Sequence, residues 1–255
     1  MKLINIIVVI LTLTAILTSP SMSQASKYWQ EKADQLLLNG SYQDALNALN
    51  KGIELNASDA NLWNKLGWVQ LNLEEYEKAR ESSDKAIELN SSLASAWSAR
   101  GIAQFNLDQF DGAITSLNRA TELEPNSFRS WFFKGSSQYK MGNLEDALNS
   151  FDRAIQIYPN DPVSWNDKGV VLMEMGRNNE AFDAFDKAVK LDPSYDVALQ
   201  NKRSVQENSL GSPSAAEAIL NEGSDSAYYI GTSPQSRASI NRAAELGLTE
   251  DPVMF

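Results

Sequence analysis

WFFKGSSQYKMGNLEDALNSFDRAIQIYP, residues 131–159, is the stretch whose reading decides the fold. Trp131, Gly135 and Gln138 stand at i, i+4 and i+7, one face of a helix. Met141-Gly142-Asn143 interrupts that face with a glycine where a helix ends. Leu144, Ala147, Leu148, Phe151, Ala154 and Ile155 then mark the apolar stripe of a second helix, which stops before Pro159. The small residues predict two closely packed helices, with Gly135 facing Ala147 and Ala154 and with Trp131 and Phe151 filling the flanks.

The same register runs outward in both directions. Trp29, Trp63, Trp97, Trp131 and Trp165 are each 34 residues apart. Four residues after each comes Ala33, Gly67, Gly101, Gly135 or Gly169, and sixteen after each an alanine: Ala45, Ala79, Ala113, Ala147, Ala181. Pro125, Pro159 and Pro193 close the later units. Self-similarity of this length means a stacked array. The pattern over residues 26–195 resembles the tetratricopeptide repeat (TPR) family. That resemblance implies an all-α, right-handed α-solenoid of five helix pairs (26–59, 60–93, 94–127, 128–161, 162–195). The amphipathic run 196–206 reads as a capping helix, and 207–255 as a loosely ordered tail with short helical segments.

Two positions depart from the family pattern. The leucine usual three residues after the Trp is present only as Leu66, with Lys32, Arg100, Lys134 and Lys168 elsewhere. Their stems are expected to cover the apolar seam while the charges reach water. The aromatic usual seven after the Trp is replaced by Leu36, Gln70, Gln104, Gln138 and Leu172.

Composition narrows the function. The 255 residues carry 22 basic and 33 acidic side chains, a net charge of −11, which opposes generic nucleic-acid binding. With no Cys and no His there is no thiolate nucleophile, no disulfide and almost no basis for a zinc or haem site, so neither metal nor cofactor is expected. The paired carboxylates Glu74-Glu75 and Asp108/Asp111 fall at turns, where they favour the next helix N-terminus over catalysis. Residues 1–25 combine Lys2, the apolar run 3–17 and a small-residue end at Ala25, which reads as a secretory signal or an uncleaved anchor and predicts an exported protein.

In the TPR family the free stripe of each first helix lines a concave groove that binds peptide segments. Here that stripe includes Gln30 and Asp34 in unit one and Asp167 in unit five, and the residues on it expected to meet a ligand are Asn64, Lys65, Trp68, Ile102, Phe105, Arg129, Phe132, Phe133, Tyr139, Asn166 and Val170. Aromatics beside an arginine are the composition of binding hot spots, and five of them on one face are expected to stay open to a ligand. Phe133→Ala is accordingly expected to spare the fold and weaken capture. A clamp for a terminal carboxylate is not expected, because only Asn64 and Arg129 approximate its chemistry. Tyr228-Tyr229-Ile230 or Val253-Met254-Phe255 is expected to occupy the groove in cis. The chain thus reads as a non-catalytic protein–protein interaction scaffold, the alternative being a membrane-anchored accessory subunit.

Overall fold

Three-residue turns join helices in pairs, and the pairs repeat. A computed structural model describes residues 21–209, and among these the chain is entirely helical: α1 (Met22–Leu38), α2 (Tyr42–Leu55), α3 (Ala60–Asn72), α4 (Tyr76–Leu89), α5 (Ala94–Asn106), α6 (Phe110–Leu123), α7 (Phe128–Lys140), α8 (Leu144–Ile157), α9 (Pro162–Glu174), α10 (Asn178–Leu191) and α11 (Asp196–Ser209). Odd-numbered helices are the first of each pair. Together they form the helical repeat solenoid that the sequence predicts. The first helix begins at Met22, four residues inside the expected leader, and is held by a reciprocal Ser21–Gln24 capping box.

Each turn places one residue in the left-handed region: Gly40, Glu74, Asp108, Gly142 and Gly176, with φ between 56 and 75°. The next amide then bonds back over the turn, as Asn143 N does to Gln138 O at 2.9 Å and Glu75 N to Gln70 O at 2.8 Å. Units two and three use the glycine geometry without the glycine, and their Cβ atoms bear the strain.

Within a pair, the glycine of the first helix receives a side chain of the second, Ser83 in unit two and a large apolar group in units three to five. A Cβ on Gly101 would lie 2.6 Å from Leu117, and one on Gly169 2.6 Å from Phe185. Gly135 faces Phe151 at 3.1 Å, so the ring predicted to fill the flank is the group the glycine accommodates first. Between pairs, each indole N–H of Trp63, Trp97, Trp131 and Trp165 donates to the carbonyl six residues earlier (Ala57, Ser91, Pro125, Pro159) at 2.8–2.9 Å. The recurring tryptophan therefore ties the incoming loop to its own helix while its ring packs the seam.

Both departures from the family pattern turn out to be halves of pairs. Gln70, Gln104 and Gln138 each accept a hydrogen bond from a serine twelve residues later, Ser82, Ser116 and Ser150, at 2.6 Å. Where the glutamine is a leucine, Leu36 and Leu172, the serine position is Ala48 and Ala184. Likewise Arg100, Lys168 and Lys202 each reach an aspartate sixteen residues earlier, Asp84, Asp152 and Asp186, at 2.6–3.3 Å. At Leu66 and Lys134 the corresponding residues are Asn50 and Asn118.

The two ends differ. Helix α11 takes the place of a sixth first helix, burying Ala198 and Val205 and anchoring Lys202 on Asp186. At the other end the residue before each Trp is buried in units two to five (Leu62, Ala96, Ser130, Ser164), yet Tyr28 is 57% exposed. Lys32 and Gln35 stand where unit two has the buried Leu66 and Val69, so polar substitution finishes this face of the array.

Candidate interaction surface

The first helices α1, α3, α5, α7 and α9 lie side by side, and the stripe predicted to line a groove runs along them. The helices approach so closely that most of it is interior. Asn64, Trp68, Ile102, Phe105, Arg129, Phe132, Phe133, Tyr139, Asn166 and Val170 are all buried, and of the eleven predicted residues only Lys65 is partly open. The expectation that five aromatics cannot all turn inward is corrected here. Trp68, Phe105, Phe133 and Tyr139 turn sideways into a neighbouring first helix, and Phe132 turns inward onto Phe151 of its own pair.

The contacts show how. Phe105 of α5 meets Phe133 of α7 edge to face at 5.4 Å, and Phe133 meets Phe132 in the same way at 5.6 Å. The Arg129 guanidinium of α7 covers the Trp68 ring of α3 at 4.6 Å, reaching back over the intervening unit. The Trp68 indole donates to Ser95 Oγ at 2.8 Å, and Asn64 Nδ2 donates to the same hydroxyl at 3.1 Å. Phe133 is thus part of the core, and truncating it opens a cavity instead of sparing the fold.

The wall divides into two chemically distinct parts. Towards its N-terminal end Lys27, Glu31 and Asn61 are exposed, Leu38 is 63% exposed, and Lys65 of α3 is ion-paired with Asp34 of α1. This part is open, mixed in charge and carries one large apolar side chain.

Towards the C-terminal end the wall is acidic and largely closed, with Asp161 and Asp167 buried and Glu174 exposed. Asp167 of α9 is 2% exposed; Asn166 Nδ2 donates to its Oδ1 at 3.2 Å, and Oδ2 has no hydrogen-bond partner among the described residues. Asn201 of α11 donates to Asn166 Oδ1 at 2.9 Å, which fixes the amide's orientation. Asp161, fully buried, caps α9 by accepting from Ser164 N at 2.7 Å. The Tyr139 hydroxyl donates to the Glu174 carboxylate. Burial pushes the Asp167 carboxyl well above the ordinary carboxylate range; Asn166 opposes this, Asp161 adds to it, and Lys140 pulls down. Burial, then Glu174, raises the Tyr139 hydroxyl.

Sequence reasoning placed Asp167 on the free stripe but passed over Leu38 and Glu174. Both lie four residues beyond stripe members, Asp34 and Val170, so extending the stripe by one turn finds them. The tail segments expected in the groove lie outside the described residues.

Stacked helix pairs with one row of first helices forming a common wall define a helical repeat scaffold. Models of the tetratricopeptide repeat match residues 31–94, 98–162 and 162–195, and the chain belongs to this family. Among solved structures it is similar to YrrB, a TPR protein with an unusual peptide-binding site, at 25% identity and a TM-score of 0.60, covering 69% of this chain and 90% of that one. It shares its fold with MamA (41-end) from Desulfovibrio magneticus RS-1, at 20% identity and a TM-score of 0.62, covering 69% and 99% of the two chains. It shares it also with TTC0263, a thermophilic TPR protein of Thermus thermophilus, at 19% identity and a TM-score of 0.55, covering 71% and 99%. No curated protein matches the chain.

Proposed function

We propose that the chain is a non-catalytic scaffold that holds an extended segment of a partner protein along the wall of first helices, outside the cytoplasm. The observation carrying this reading is the open N-terminal part of that wall, where Lys27, Glu31 and Asn61 are exposed, the Lys65–Asp34 pair joins α3 to α1, and Leu38 is exposed at the C-terminal end of α1. A row of polar groups leading to an apolar anchor suits an extended segment, which can use the first for orientation and the second for affinity. The similarity to YrrB supports a peptide as the class of ligand. Export rests on residues 1–25 alone.

Selection from a displayed library of random 12-residue peptides tests the reading. Selected peptides are expected to bind wild type and to lose at least tenfold in affinity to Leu38→Asp, a surface change that leaves the melting point unaltered. Failure to select any binder, or binding indifferent to residue 38, refutes it.

A membrane-anchored accessory subunit is the second reading, and one observation favours it. The Ser21–Gln24 capping box of α1 lies upstream of the expected cut after Ala25, so cleavage there would remove the cap. Among the described residues no helix is long and apolar enough to cross a membrane, which leaves residues 1–20 as the anchor in this reading. N-terminal sequencing of the native protein decides: a chain starting at Ser26 excludes the anchor.

A further inference from the structure

The acidic part of the wall holds a carboxyl that burial drives towards its neutral form and that only a nearby cation would keep ionised. Asp167 sits on the same stripe as the rest of the wall, almost wholly buried, with Oδ2 accepting no hydrogen bond from any described residue. A buried carboxylate of this kind is costly unless a cation meets it. The acids Asp161 and Glu174 stand in the same neighbourhood, and Lys140 is the cation whose charge reaches Asp167 there. A guanidinium suits such a site, since its planar fork can bond both carboxylate oxygens at once.

The chain's own sequence carries such groups beyond α11. Between 210 and 255 the basic residues are Arg237 and Arg242, and residues 226–244 contain both of them and no acid. In a protein of net charge −11 this is a basic island, and it also brings Tyr228, Tyr229, Ile230 and Ile240. Its attachment point is well placed. Helix α11 touches the site through Asn201 and ends at Ser209, eight residues and about 12 Å of helix further on. The 28 residues from Ser209 to Arg237 can reach at most about 90 Å, several times what the return requires.

We propose that Asp167 anchors a cation-binding subsite of the wall, and that its occupant in the resting protein is the chain's own segment 226–244, through Arg237 or Arg242. The inference rests on the wall being the binding face and deepens that reading: an external segment must bring its own guanidinium or ammonium group to displace the tethered one. Tethering gives the tail an effective concentration in the millimolar range, so only ligands that also engage the open N-terminal part compete.

Trypsin reads the proposal directly on the full chain, because it must grip the arginine side chain to cut after it. Initial cleavage after Arg237 and Arg242, followed by mass spectrometry, is expected to be at least about tenfold faster in Asp167→Asn than in wild type. Equal rates in the two proteins overturn it. Should Asp167→Asn lose helicity, Arg237→Gln/Arg242→Gln, which leaves every described residue intact, decides the matter. Chymotryptic cuts after Tyr228 and Tyr229 are then expected to accelerate about tenfold, and unchanged cuts overturn the proposal. The outcome is separable from that of the peptide selection: a freely cleaved tail on a protein that still binds selected peptides removes the tail as occupant and leaves the scaffold reading standing.

Discussion

Swapping one buried pair tests the rule that the middle units follow a different packing code from the end units. Gln138 Oε1 accepts from Ser150 Oγ at 2.6 Å, and both side chains are buried. Ser150→Ala removes the donor and leaves the amide oxygen without it, which costs about 1–3 kcal/mol. Gln138→Leu costs less, about 1 kcal/mol, because the freed hydroxyl can turn to the carbonyl four residues back, as Ser83 does to Ala79 O at 2.7 Å. The double variant recreates the Leu172/Ala184 pair of the fifth unit and should lie within about 0.5 kcal/mol of wild type. The coupling energy is therefore about 2 kcal/mol, well above the additivity error for independent sites. For a chain of this size Ser150→Ala should lower the melting point by about 4–8 °C, and adding Gln138→Leu should recover most of it. Helical circular dichroism on heating the four proteins measures all of this. If the double variant melts at the sum of the single losses, the two positions are independent and the pair is only a coincidence of spacing.

Two further outcomes follow from the other paired positions and from the turns. Lys168→Leu breaks the bond to Asp152 and should cost up to about 1 kcal/mol in urea unfolding, whereas Lys134→Leu, at a position whose counterpart sixteen residues earlier is Asn118 and where burial already disfavours the cation, should be neutral or stabilising. Equal losses in both would show that the cations act only through their own tryptophans. Glu74→Gly removes a side chain held at φ 60° and should raise the melting point by about 2–4 °C, and a lower melting point would show that its charge outweighs the strain.

The fold was legible because its signal is redundant. Five tryptophans, five small residues and five alanines in one register specify the same helix pair five times, so no single substitution obscures it. Two things within a unit were hidden. Gly135 was matched to the alanines because both are small, yet volume, not likeness, decides what faces a missing Cβ, and the volume belongs to Phe151. The replaced leucines and aromatics looked like scattered exceptions until the residues twelve later and sixteen earlier were read beside them. A helical stripe counts neighbours at three and four; pairs between helices lie at the period of the turn and are invisible to it.

The interaction surface was less legible for a geometric reason. The stripe of a single first helix says which residues leave the pair, but not how far the next pair's first helix stands from it. In this array the spacing is small enough for Phe105 and Phe133 to meet and for Arg129 of the fourth unit to lie on Trp68 of the second. Large side chains on such a wall close it, because each adds the contact that draws the next helix in. The openness of a unit's wall should therefore run opposite to its aromatic content. The first unit, with Gln30, Asp34 and Leu38 on its stripe, is open; the fourth, with Phe132, Phe133 and Tyr139, is closed. The aromatics that read as a ligand's contacts are instead buried groups that hold the wall shut, so in the function proposed above recognition is assigned to residues around them: Leu38 at the open end and Asp167 at the acidic one.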